Sequence, residues 1–194
     1  MNNKRGKLVI LSAPSGAGKT TICKNLLSLN EDWKYSISAT TRPMRENEVD
    51  GDDYHFLSKE KFEHKERFGE FIECEWVHGN RYGTPVQPLE DALDNGNIFL
   101  LDVDVKGAMN LIEEFEEDCI SIFIEPPGIN IQEKIESLNE RLLKRGGSNE
   151  TLIKQRLKRF ELELSYKEKF SFSFINEDLD ETTSEINNKI KENL

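Results

Sequence analysis

Lys7-Leu8-Val9-Ile10-Leu11-Ser12-Ala13-Pro14-Ser15-Gly16-Ala17-Gly18-Lys19-Thr20-Thr21 is the stretch that decides the class of this protein. Its first six residues form a short apolar run of strand formers, and beyond it Ile22, Leu26 and Leu27 recur at helical spacing. The order is therefore strand, loop, helix. Residues 13–20 fit GxxxxGK[ST], with Ala13 standing where the first glycine is usual. Gly16 and Gly18 let consecutive backbone N–H groups turn inward around a phosphate. The helix starting near Lys19 adds its positive end, and Lys19 adds a full charge. Thr20 brings a hydroxyl suited to Mg²⁺. Ala13 is compatible with the loop at negative φ, where only the tightness of the turn depends on the missing glycine. Residues 13–21 thus read as a binding loop for a nucleoside triphosphate such as ATP.

Outward from this loop, Ile98-Phe99-Leu100-Leu101, Ile120-Ser121-Ile122-Phe123-Ile124 and Phe170-Phe172-Phe174-Ile175 read as further strands. The second of these is ended by Pro126-Pro127. Helical patterns lie between them, including Ile186, Ile190 and Leu194 near the end of the chain. Strands alternating with helices predict an α/β fold on a parallel sheet with helices on both faces. The strand at 98–101 runs into Asp102-Val103-Asp104, which sets a carboxylate, Asp102, at the sheet's carboxyl edge as a ligand for Mg²⁺ or its water.

Two segments break this rhythm. Residues 37–89 carry Gly, Pro, Asn and aromatic residues with little helical period, and predict a mixed, partly β excursion. Residues 128–168 predict a two-helix arm. From Lys134 to Lys169 this arm holds ten basic and six acidic residues, a local charge of +4. The whole chain is the reverse: 26 basic and 37 acidic residues give −11 over 194 residues. That charge disfavours a broad electrostatic grip on nucleic acid or an anionic membrane. The run Leu8–Leu11 is far too short for a membrane span, and a cytoplasmic location is expected. Cys23, Cys74 and Cys119 are scattered and read as reduced core thiols, while His55, His64 and His78 have no triad or metal partner in the sequence.

The excursion holds Ser38-Ala39-Thr40-Thr41-Arg42-Pro43-Met44-Arg45, Gly51-Asp52-Asp53-Tyr54-His55-Phe56, Phe71-Ile72-Glu73 and Gly79-Asn80-Arg81-Tyr82-Gly83-Thr84-Pro85. Taken singly, Arg42 and Arg45 read as surface arginines, Tyr54 and Tyr82 as half-buried aromatics and Glu73 as a solvated strand charge. Together with the loop, and in this order, these strings resemble the guanylate kinase family from Leu8 to Asp178.

The resemblance implies a phosphate-loop core at residues 1–36, 90–127 and 169–194, a GMP-binding lobe at 37–89 and a helical lid at 128–168. It implies Mg²⁺-dependent phosphoryl transfer from ATP to GMP or dGMP, in purine nucleotide metabolism. Arg42 and Arg45 would clamp the phosphate of GMP with the hydroxyls of Tyr54 and Tyr82; guanidinium forks suit a dianion. Ser38, Glu73 and Thr84 would read guanine, with Asp104 on the same substrate side. A carboxylate at 73 accepts from guanine's N1–H and amino group, whereas adenine would present it with a lone pair.

In the same resemblance Arg145 and Arg156 would be lid arginines acting with Lys19 and Arg42 in catalysis, Arg141 would join them at the triphosphate, and Asn176 would lie near the adenine. The stretch from 128 to 140 is longer than the family's usual spacing before those arginines. Two other readings are compatible with the fold. One is an inactive guanylate-kinase-like interaction module, generally degraded at the phosphate loop, which here is intact. The other is a phosphate-loop kinase for a different small acceptor, opposed by Glu73 and the two tyrosines.

Overall fold

β1 (Lys7–Ser12) is the central strand of a five-stranded sheet, flanked by β7 (Ile98–Asp102) and β8 (Cys119–Glu125). β2 (Lys34–Tyr35) and β9 (Phe172–Ile175) form its edges, in the order β2-β7-β1-β8-β9. Every pairing is parallel, with Leu8 opposite Phe99 and Leu11 opposite both Asp102 and Ile122. The strand residues alternate between two buried layers, as the two-residue period of a strand requires. Val9, Leu11, Leu100 and Ile122 face α1 (Lys19–Leu29) and α7 (Leu179–Glu192) through Ile22, Leu26, Ile186 and Ile190. Leu8, Ile10, Phe99, Leu101 and Phe123 face α3 (Val86–Asp94) and α4 (Val105–Glu114) through Leu89, Leu93, Ala108 and Leu111. Burial on both faces explains the nearly continuous apolar runs of these strands.

The computed structural model describes residues 5–77, 79–144 and 158–194. A second, four-stranded sheet has the order β4-β3-β6-β5, with β3 at Ala39–Thr40, β4 at His55–Phe56, β5 at Phe71–Val77 and β6 at Asn80–Pro85. Beside it lies α2 (Lys59–Arg67), a helix that the lack of apolar period in this region did not predict. Its sequence has one buried residue, Phe62, stacked on Phe71 at 4.7 Å, and it is started by the Ser58 hydroxyl accepting from Lys61 N. A cap and a single anchor, not an amphipathic face, define it.

α5 (Ile131–Lys144) takes up most of the stretch from 128 to 140, and residues 158–164 form a further helical segment, α6. Phe170 precedes β9 instead of opening it. Among the described residues no helix is long and apolar enough to cross a membrane.

Because the main sheet is parallel, the carboxyl ends of β1, β7 and β8 share one edge. The loop after β1, Asp102 and Glu125 are all brought there, which is where ligands bind in open α/β sheets.

Candidate functional site

The loop after β1 takes its left-handed turns at Gly16 (φ 100°) and Gly18 (φ 102°), and Gly18 leads directly into α1. A Cβ at Gly18 would lie 2.4 Å from the Asn176 amide nitrogen, so space as well as φ demands glycine there. Asn176 Nδ2 donates to Ala17 O at 2.7 Å, and Arg141 of α5 donates to Asn176 O (3.0 Å) and Ala17 O (3.4 Å). The Asn176 side-chain oxygen is buried with no partner among the described residues. Leu138 and Leu142 of α5 pack under Gly16. Ala13 is packed into the core, its methyl group filling space a glycine would leave open.

Lys19 reaches back to the sheet edge, where it pairs with Asp102 Oδ1 at 2.5 Å and donates to Val103 O at 2.6 Å. Burial works against its charge, but the charge and hydrogen bond of Asp102 prevail and hold its pKa above the ordinary value. Thr20 Oγ1 donates to Asp102 Oδ2 at 3.4 Å. A hydroxyl and a carboxylate so placed suit Mg²⁺, which takes few protein ligands and completes its shell with phosphate oxygens and water.

Two cavities open beside this loop. One, of about 260 Å³, is walled by the loop, Ser38, Glu73, Asp104 and Arg159; the other, of about 460 Å³, is walled by Arg42, Arg45 and Glu48. Thr20, Tyr54, Tyr82 and Asp102 line both, so the cavities are neighbours across a common wall. The Tyr54 and Tyr82 rings meet edge to face at 5.8 Å. Arg42 lies over the Tyr54 and Phe56 rings, at 5.3 and 5.5 Å, while Arg45 is mostly exposed.

Glu73 faces the smaller cavity from β5, where burial raises its pKa from 4.5 to about 7. The Thr84 hydroxyl donates to Glu73 Oε1 at 2.5 Å, countering part of that rise, and nearby Asp104 adds to it. Thr84 is itself wholly buried, so it acts on the cavity through Glu73. Gly107 of α4 makes room for the carboxylate: a Cβ there would lie 2.9 Å from Glu73 Oε2.

Asp104 Oδ1 caps α4 by accepting from Lys106 N (3.1 Å) and Gly107 N (2.9 Å), and its Oδ2 accepts from Arg159 at 2.6 Å. Arg159 also donates to Glu163 at 2.8 Å. Neither Arg159, Gly107 nor Glu48 was singled out from the sequence. The only signal for Arg159 was the positive arm as a whole. Arg145 and Arg156 lie outside the described residues, as does His78.

A guanylate kinase family model matches residues 5–193. A guanylate kinase from Chlorobium luteolum is 45% identical over 181 residues, covering 93% of this chain and 89% of the relative. One from Chlorobaculum tepidum is 42% identical over 190 residues, covering 98% and 94%. The crystal structure of guanylate kinase from Anaplasma phagocytophilum superposes with a TM-score of 0.78 at 34% identity, over 97% of this chain and 86% of that one. A shikimate kinase from Bacteroides thetaiotaomicron, at 13% identity and a TM-score of 0.51 over 95% of this chain and 98% of that one, shares the fold.

Proposed function

The chain belongs to the guanylate kinase family and is a nucleoside monophosphate kinase, and on that footing we propose that it transfers the γ-phosphoryl group of ATP to GMP and dGMP with Mg²⁺. The observation that carries the reading is the common wall of the two cavities. A donor held on the loop and an acceptor phosphate held by Arg42 and Arg45 would meet at Thr20, Tyr54, Tyr82 and Asp102. Such a reaction converts a nucleoside monophosphate to its diphosphate, a step of purine nucleotide metabolism.

In this reading Glu73 accepts from N1–H and the amino group of guanine, with Thr84 and Gly107 fixing its carboxylate and Ser38 beside it. Once Glu73 is ionised, adenine would set a lone pair against its carboxylate, which disfavours AMP by an unpaired polar contact. Asp104 belongs to this side of the site, tied to Arg159. Arg42 and Arg45 offset the charge of the acceptor phosphate. That phosphate has a second pKa of about 6, so at neutral pH it presents an anionic oxygen and needs no general base.

Lys19 exchanges Asp102 for the donor's phosphate oxygens, freeing Asp102 to act with Thr20 toward the metal. Thr20 and Asp102 would hold Mg²⁺ there, and the metal would supply positive charge to offset that of the donor's phosphates. Arg141 and Asn176 fix the loop's shape from behind. Arg145 and Arg156, carried over from the family's lid, are proposed to offset charge on the transferring group.

The test is a coupled ADP-release assay with ATP. Turnover with GMP and dGMP should far exceed that with AMP or UMP and should vanish on chelation of the metal. Equal rates with and without an acceptor would overturn the proposal.

A further inference from the structure

Glu48 sits in the loop between β3 and β4 that carries both arginines of the larger cavity, where Glu48 N–H donates to Arg45 O at 3.2 Å and closes a turn. Its carboxylate takes Arg42 end on: Oε1 accepts from Nη2 at 2.8 Å and Oε2 from Nη1 at 2.9 Å. Oε2 also accepts from the Arg45 backbone N–H at 2.8 Å, which fixes the carboxylate to the loop itself. Arg42 Nη1 spends its other hydrogen on Pro43 O at 2.8 Å.

A guanidinium has five N–H donors in a plane and two edges that match an oxyanion pair. Glu48 and Pro43 between them use three donors and one of those edges. What remains is the side-on edge, made by Nε–H and the second Nη2–H. The hydrogen bonds of Glu48 outweigh desolvation and raise the pKa of Arg42 above the ordinary value, with a smaller contribution from nearby Tyr82. Arg42 Cζ lies over the rings of both Tyr54 and Phe56.

Resting on the reading that this cavity takes the acceptor's phosphate, we infer that Glu48 is a positioning residue for that phosphate. By holding the end-on edge of Arg42 and the backbone of Arg45, it presents the side-on edge of Arg42 to the ligand. Glu48 and the phosphate then bind Arg42 together, each on its own edge. The contrary arrangement, in which Glu48 stands in for the phosphate and must be displaced, would make its removal favourable to binding.

The experiment compares the intact protein with Glu48→Gln and Glu48→Ala, using calorimetric titration with GMP and with guanosine, steady-state kinetics and thermal melting. In Glu48→Gln the dissociation constant and KM for GMP should rise on the order of tenfold, the loss expected for a charge-assisted fork reduced to a neutral one, with a smaller change in kcat. Glu48→Ala should lose more. Guanosine affinity should stay within about twofold of the unaltered protein in Glu48→Gln, since only the phosphate contact is touched. Tighter GMP binding in either variant would overturn the inference, as would equal weakening of GMP and guanosine, or failure of the near-isosteric Glu48→Gln to fold. A different result, an unaltered protein that binds guanosine as tightly as GMP, would instead remove the phosphate-site reading beneath it.

Discussion

Replacing Glu73 by glutamine should make the empty protein more stable at alkaline pH while weakening GMP. Glu73 is only 8% exposed, and its pKa of about 7 against an ordinary 4.5 means that ionising it in the folded state costs roughly 3 kcal/mol. The sign follows from proton binding. Between those two values the folded protein holds the proton more tightly than the unfolded chain. Its stability therefore falls as pH rises through that window and stays low above it. Glutamine does not titrate, and its oxygen can still accept from Thr84. The advantage of Glu73→Gln over the unaltered protein should thus grow by about 2 kcal/mol between about pH 5.5 and pH 8. Urea denaturation at the two pH values measures this directly. GMP affinity at pH 8 should fall by at least on the order of tenfold, because an amide N–H then faces a donor of guanine. A stability difference that is the same at both pH values would refute the desolvation argument. Undiminished preference for GMP over AMP would refute the base-reading role.

Three further substitutions probe other parts of the site. Gly107→Ala should leave stability within about 1 kcal/mol, because the helix gains propensity, yet weaken GMP binding severalfold by displacing Glu73 from a 2.9 Å contact; urea melts and GMP titration together check it. Glu125→Gln should destabilise the protein by about 3–5 kcal/mol in denaturant melts, since Glu125 is buried and pairs with both Lys134 and Lys167, and Lys134 would be left buried and uncompensated. Lys19→Met should remove turnover while preserving GMP binding, because Lys19 faces the loop and Asp102 and not the arginine cavity; ADP release and GMP calorimetry separate the two effects.

Much of the fold was legible because its causes are local. The apolar run at 7–12, the two glycines and the periodic residues of α1 each lie within a few positions of one another, and β1, the loop and α1 fall where that pattern puts them. β7 and β8 were visible as apolar runs because the middle of a parallel sheet is buried on both faces. β2 was not, since a two-residue edge strand has no pattern of its own and exists by pairing with β7. α2 was missed for a related reason: Phe62 alone anchors it.

The sequence by itself placed the phosphate loop ahead of a helix and Asp102 at a strand end, because strand and helix periods are written in neighbouring residues. Tertiary structure alone decided what each charge faces. It brought Arg159 to Asp104 across 55 positions, set Thr84 behind Glu73, and turned Glu48 onto Arg42. Spacing carries no trace of those choices, because charged side chains are long and soluble wherever they stand. Which partner each one meets is fixed only when the packed sheets and helices bring distant segments within hydrogen-bond reach.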